Sequence, residues 1–489
     1  MRGLIWFRTD LRVSDNTALL AACKACKDGV VALFIISPGE WRAHDWAPVK
    51  VDLVLRTLAE LSASLAKLNI ALRIIECASP KDIPSALLGV AESHGCDGLF
   101  FSREYELNEA RRDEKVAAAF TEAGRKVHAY HDQVYAAPGD VRTGGGTYFT
   151  VFTPFKKALY AHMLRSGLPE SVATPRALPA MVGTPDPVPA AVAGFESHIP
   201  ASLWPAGEAH ARKRLSTFVE RSLLSYKARR DFPADAEGTS KLSPYLNIGT
   251  ISCRQCLHAA IAANPVPAAR SPLDSGSEGA VHWISELVWR EFYIHIMVGY
   301  PRVCMNRAFQ KPTESIRWNE NAAHFEAWKQ GRTGVPIVDA AMRQLATTGF
   351  MHNRLRMIAA MYLTKNLFLD WRLGEAFFMR HLVDGFLASN NGGWQWSAST
   401  GTDAAPYFRI FNPVSQSRRF DEQGEFIRRY VPELRDLDAD TVHEPWTLPG
   451  LLRQGLDYPQ SLVDLSKSRT DAIEAFRAIK GDAAMRDLG

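Results

Sequence analysis

Short apolar runs alternate with helical periods through the first third of the chain. Leu4–Phe7, Val30–Ile36, Ala71–Ile75, Gly98–Phe101 and Val127–Tyr130 read as strands. Helical segments such as Thr17–Lys27 and Leu53–Leu68 lie between them. Strand–helix alternation predicts an α/β domain with a doubly wound parallel sheet over residues 1–132. Residues 133–203 lose sustained periodicity and gather Pro, Ala and Gly, as in TPRALPAMVGTPDPVPAAVAG, which reads as an interdomain linker. From Trp204 to residue 489 the apolar spacing is three and four with few strand candidates, predicting a larger all-helical domain. A last helix is expected around Asp471–Ile479.

One stretch breaks that pattern. DGFLASNNGGWQWSASTGTDAAPYFRIFNP, at 384–413, keeps no amphipathic period. Asn390-Asn391-Gly392-Gly393 is turn chemistry, yet Trp394 and Trp396 follow at once. Indole rings beside so many amides and hydroxyls suit a flat ligand with hydrogen-bonding edges; a glycine-rich loop whose tryptophans cap the core is the plain alternative.

The composition is that of an ordinary globular protein: 489 residues, 46% hydrophobic, 22% charged. A net charge of +4 permits a local nucleic-acid patch without arguing for one. Seven cysteines, an odd number, make a disulfide framework unexpected and point to a reducing cytoplasm. The pairs Cys23/Cys26 and Cys253/Cys256 lie in helix-like sequence too far apart for a zinc ribbon, and no metal is expected. The start MRGLIWFRTDLR lacks the apolar run of a signal peptide, and no stretch approaches the roughly 18 apolar residues of a membrane span.

Three further segments carry candidate chemistry. After the first strand stands RTDLR where a dinucleotide fold would have G-x-G-x-x-G, so a dinucleotide must be held elsewhere. In GTSKLSPYLNIGTIS (238–252), Thr239, Ser240 and Ser243 put hydroxyls beside a helix start, with Ser243 a natural N-cap before Pro244. Amides and hydroxyls there suit a pyrophosphate, although most such sequences only cap helices. In WISELVWREFYIH (283–295), Trp283, Glu286 and Arg290 share a helical face bordered by Trp289; an ordinary Glu286–Arg290 ion pair on a solvated face is the alternative. In TTGFMHNRLRMIAAMYLTKN (347–366), Asn353, Arg356 and Met357 share a face.

NNGGWQWSASTGTDAAPYFRIFNP resembles the flavin-binding core of the photolyase/cryptochrome family, within it the bacterial class I photolyases that repair cyclobutane pyrimidine dimers. The resemblance runs from LIWFRTDLRVSDNTAL (4–19) to EFIRRYVPELRDL (426–437). It implies FAD as cofactor, DNA carrying such dimers as substrate, and a monomer without an obligate protein partner. It assigns FAD contacts to Tyr226, the Thr239, Ser240, Lys241, Leu242, Ser243 run, Trp283, Arg290, Asn353, Arg356, Asp384 and Asn390, with Arg356 pairing Asp384 and Asn390 beside flavin N5. It turns Glu286 and Trp289 toward the lesion with Asn353, Met357 and Trp396. Trp394, Trp371 and Trp318 become an electron-transfer chain for flavin photoreduction. His44, Asn108, Glu109 and Cys304 match a methenyltetrahydrofolate antenna site. Arg354 and Arg409 are expected to hold phosphates.

Departures from the family pattern stand at Met305, in place of a basic residue; Phe386, in place of an acid; and Phe350, in place of a tryptophan. Relatives that repair six-four photoproducts carry a His-His pair where this chain has Met351-His352-Asn353, which favours the cyclobutane dimer. A cryptochrome-type photoreceptor without repair is the leading alternative, followed by a six-four photolyase and a nicotinamide- or flavin-dependent oxidoreductase.

Overall fold

A computed structural model describes residues 1–267 and 269–486, with side chains up to residue 479. The chain divides into two compact units that do not follow chain order. The first comprises Met1–Leu224, Ser240–Pro301 and Val383–Phe386; the second comprises Ser225–Thr239, Arg302–Leu382 and Leu387–Gly489.

The first unit carries the sheet. Five strands, β1 (Gly3–Phe7), β2 (Val30–Ile36), β3 (Ala71–Glu76), β4 (Gly98–Ser102) and β5 (Lys126–Tyr130), pair in parallel in the order β3-β2-β1-β4-β5. Every strand expected from an apolar run is present. β1, β2 and β4 are buried at every position, as strands covered on both faces must be. Helices α1 (Thr17–Ala25) and α2 (Pro48–Ala66) fall where the helical periods are. Asn16 caps α1 through its side chain, and Pro48 opens α2 with its φ already set.

Two other helices of this unit matter to function. One, α3 (Phe152–Ser166), lies inside the expected linker. Its apolar residues Phe152, Phe155, Leu159, Tyr160 and Met163 are buried at helical spacing, and the surrounding Pro- and Gly-rich composition hides that period. Short helix α4 (Ser243–Asn247) precedes the long α5 (Glu278–Gly299). The RTDLR loop is closed from beneath by a glycine: a Cβ on Gly249, whose φ is +73°, would lie 2.0 Å from the Thr9 carbonyl oxygen.

The second unit is helical. Its core gathers Trp328, Val338, Leu345, Tyr362, Trp371, Phe378 and Trp394. The helices used below are α6 (Asn353–Met361), α7 (Trp371–Met379), α8 (Leu387–Ala398) and α9 (Leu465–Arg486). NNGG is therefore not a turn: both asparagines and both glycines lie within α8, and packing overrides their weak helix propensity. The final helix is longer than its apolar period. No helix among the described residues is long and apolar enough to cross a membrane.

Candidate functional site

Helix α5 is anchored through buried polar side chains. Glu291, almost fully buried, accepts the backbone N–H groups of Tyr135 (2.7 Å) and Ala136 (2.9 Å). Arg290 donates to the Gln133 carbonyl at 2.7 Å and lies 4.9 Å over the ring of Phe386. No ion pair joins it to Glu286 among the described residues, so the plain surface-pair reading of this helix does not hold. Phe386, where an acid is usual, meets the guanidinium with a ring face instead of a charge. Trp283 is buried against Phe218 at 5.0 Å. Glu286 is partly exposed, with His282 Nε2 3.9 Å from its Oε1.

Trp289 has one face covered by Phe152, with ring centroids 3.6 Å apart and planes 7° from parallel. The covering residue comes from α3, in the segment read as linker. Nothing in the local sequence points to it, since it is set by long-range packing. A ring clamped on one side at low entropy cost suits stacking on the other.

The TSKLS segment departs from its expected local geometry. Leu242 is the N-cap of α4, and Ser243 is its first residue with Pro244 second. Ser243 Oγ donates to Asp384 Oδ2 at 2.6 Å instead of capping. Lys241 sits at φ +49°, a conformation costly for a side-chain-bearing residue, and Ser240 Oγ accepts the Leu242 N–H at 3.4 Å. Next to Asp384, the Gly385 carbonyl accepts from Lys50 Nζ (2.9 Å) and Asn247 Nδ2 (3.0 Å). Burial lowers the Lys50 ammonium to about 8, against nearby carboxylates that raise it, and the ammonium sits 3.8 Å over the Trp46 ring. Ser243, Asp384, Gly385, Phe386 and Arg290 thus form one fixed cluster.

In the second unit, Tyr226 is buried at the start of its short helix, with the Arg230 guanidinium 5.3 Å over its ring, and Thr239 is half-buried. His352 caps α6 through Nδ1, which accepts the Arg354 N–H at 3.2 Å. Asn353 is exposed and its amide reaches Met357 Sδ at 4.0 Å. Arg356 donates to the Met351 carbonyl at 2.8 Å and stands 5.3 Å over Phe350. Arg354, expected to face phosphates, is engaged by Asp231 at 2.9 Å and lies 4.3 Å over Phe420. Arg409 is exposed. Cys304 is half-buried beside the exposed Met305.

Asn390 donates to the Glu375 carbonyl at 3.0 Å, linking α8 to α7. Trp394 is 2% exposed and packs edge-on to Phe378 at 4.9 Å and Trp328 at 6.0 Å. Gly374 makes this possible, since a Cβ there would fall 2.1 Å from the indole. Trp371 is buried in the same core, while Trp318 packs on its edge, 5.0 Å from Phe368. Trp396 is half-buried on α8.

Two features of α8 fit a flavin. The buried Nε1–H of Trp394 has no acceptor, and a Cβ on Gly393 would meet nothing within 4 Å. An unsatisfied indole donor and open space along an amide-bearing helix are what a flat, acceptor-rich ring system would fill.

Three of the four expected antenna residues meet in the first unit. His44 Nδ1 lies 2.9 Å from Glu109 Oε1, and its Nε2 lies 3.2 Å from Asn108 Nδ2. The Glu109 hydrogen bond raises the imidazole's affinity for its proton. Nearby Glu106 is pushed up to about 7 by burial first and then by Glu109 and Glu104.

The models for two protein families match this chain: DNA photolyase over residues 3–179, and the FAD binding domain of DNA photolyase over 283–478. Proteins named deoxyribodipyrimidine photo-lyase from Salmonella typhimurium and Escherichia coli are each 43% identical to it, over 98% of this chain and 99% and 98% of theirs. Among solved structures, a bacterial class III photolyase from Agrobacterium tumefaciens superposes with a TM-score of 0.85 at 33% identity, covering 98% of both chains. A cryptochrome from Synechocystis sp. PCC6803 gives the same TM-score at 26% identity, over 97% of this chain and 99% of that one. The fold and the cofactor-binding half define a flavoprotein enzyme. The chain belongs to the DNA photolyase family.

Proposed function

We propose that this protein is a light-dependent deoxyribodipyrimidine photo-lyase, splitting cyclobutane pyrimidine dimers in DNA. The observation that carries this reading is the identity of 43%, along nearly the whole chain, with relatives named for that activity. Bound FAD, fully reduced and excited by light, supplies the electron that opens the dimer and receives it back. The chain's own residues bind, orient and tune.

In this reading, Glu286 hydrogen-bonds the carbonyl edges of the lesion and steadies the charge arriving there. Trp289, backed by Phe152, stacks on the flipped bases, with Asn353, Met357 and Trp396 as further lesion contacts. Tyr226, residues 239–243, Trp283, Arg290, Asn353, Arg356, Asp384 and Asn390 hold FAD. Ser243 fixes the Asp384 carboxylate for that work, and Trp394, Trp371 and Trp318 carry electrons inward during photoreduction. His44, Asn108, Glu109 and Cys304 hold a folate antenna, with Met305 unable to offer its anionic tail a charge. Arg409 contacts DNA phosphates, and Arg354 does so where it can leave Asp231. Residues 1–132 supply the antenna-binding sheet; 133–203, expected to be a linker, also contribute α3 behind Trp289; and the FAD and DNA contacts come from residues after 203, in a cytoplasmic monomer.

A cryptochrome-type photoreceptor is the second reading, supported by the Synechocystis structure. Ultraviolet-damaged oligo(dT), mixed with reduced protein in light and in darkness, separates the two. Repair restores absorbance near the thymine band under blue light only. No recovery in light overturns the proposed activity and favours the photoreceptor.

A further inference from the structure

A cleft of about 610 Å³ opens in the helical unit between the loop after Trp318, the chain around Asn366 and the start of α9. None of the roles above uses it. Asn366 lines it, is only 5% exposed, and ends a π-helical turn, Tyr362–Asn366, a geometry that often marks functional sites.

Asn366 is held by Ser468. Ser468 Oγ donates to the Leu465 carbonyl at 3.3 Å, so its lone pairs accept from Asn366 Nδ2 at 3.0 Å. Asn366 Oδ1 is left buried with no partner. A buried acceptor without a donor is destabilising, and a bound donor relieves that cost.

The rest of the lining asks for a donor as well. Glu320, Asp464 and Asp471 carry three negative charges around the cleft against one positive charge, Lys467. None of these four side chains makes an ion pair among the described residues. Asp464 Oδ1 is committed to the Ser466 and Lys467 amides at the start of α9. Its other oxygen and the two remaining carboxylates can receive a cation. Phe368, stiffened by Trp318, adds an aromatic face.

We propose that this cleft binds a small organic ammonium cation, its N–H donors reaching Asn366 Oδ1 and its charge facing Glu320, Asp464 and Asp471. A simple divalent metal fits worse, since one carboxamide and mouth carboxylates on separate elements do not form a compact oxygen cage. A neutral polyol would answer Asn366 but not the charge.

The test is titration calorimetry on the full chain with 1,4-diaminobutane, with 1,4-butanediol as neutral match and Mg²⁺ as charge control. Diaminobutane is expected to bind saturably and butanediol not to bind. The surface double variant Glu320→Gln/Asp471→Asn should weaken diaminobutane about tenfold and should leave the fold intact. Asn366→Leu should abolish binding in protein whose near-ultraviolet dichroism is unchanged. No saturable heat, binding untouched by the double variant, or equal displacement by Mg²⁺ would each overturn the proposal. Should Asn366→Leu fail to fold, the double variant and the butanediol control decide alone.

Discussion

Where the sheet-bearing unit buries arginine, it buries carboxylates against it. Arg12 and Arg254 share Asp132, Arg254 also meets Asp15 at 3.1 Å, and both arginines donate to the Asp15 carbonyl. Arg8 and Arg112 share Asp113 and Glu104 in the same manner. The helical unit buries Lys365 with neutral acceptors only, the Ala398 carbonyl and Ser399 Oγ, each at 3.0 Å, and 3.6 Å from the Phe476 ring. Burial alone lowers that lysine's proton affinity far below the ordinary range. His352 and Asp339 likewise favour their neutral forms there, at about 4 and about 6. The arginines of the first unit are held by carboxylates, whereas Lys365 of the second has neutral acceptors only and His352 favours its neutral form. Each is disturbed by a different change. A paired network fails abruptly when one member goes, whereas neutral groups answer to pH.

The largest effect should come from the network. Asp132→Ala leaves two buried guanidinium groups sharing less negative charge, and the expected cost is about 3–5 kcal/mol. Denaturant unfolding of the two proteins measures it directly. A loss below about 1 kcal/mol would break the comparison, because the arginines would then be as tolerant as the neutral groups of the helical unit.

A pH titration sharpens the other side. Burial depresses His352, so the folded protein holds it neutral between about 6.5 and 4 while the unfolded chain charges it. Its contribution is therefore intact above pH 6.5 and is lost as pH falls to 4, about 3 kcal/mol in full. Asp339 has the opposite sign: its raised value means stability falls as pH rises toward 6. The two slopes oppose each other in this window. His352→Asn keeps an N-cap for α6 and removes only the titration. Relative to the parent, it should gain about 3 kcal/mol between pH 6.5 and 4, read from unfolding midpoints. A flat difference curve would show that His352 ionises freely in the fold.

The contrast between the units also marks what the sequence made legible. Strands β1 to β5 announce themselves because a parallel sheet buried on both faces needs unbroken apolar runs. The helical character of the rest follows from spacing alone. Trp283, Glu286 and Arg290 could be placed on one helix, but their partners could not. Gln133, Glu291's hold on Tyr135 and Ala136, and the Phe152 ring behind Trp289 are pairings across more than a hundred residues, with no local signature. Two local rules also lost to packing. Asn390 to Gly393 form helix because Trp394 fits against Gly374, and α3 persists amid Pro-rich sequence because one face is buried.

Ser243 gives the smallest effect and separates two accounts of one residue. As an N-cap it would act through backbone amides; as observed, its hydroxyl holds the Asp384 carboxylate at 2.6 Å. Either account predicts a loss of about 1 kcal/mol for Ser243→Ala, so the single variant does not discriminate. A double-mutant cycle with Asp384→Asn does. Capping would leave the two substitutions additive, because Asp384 takes no part in it. The hydrogen bond predicts a coupling energy of about 1 kcal/mol, since either change removes the same charge-assisted contact. Ser243→Thr, which keeps the hydroxyl, should restore most of the loss. Additivity would return Ser243 to the helix terminus.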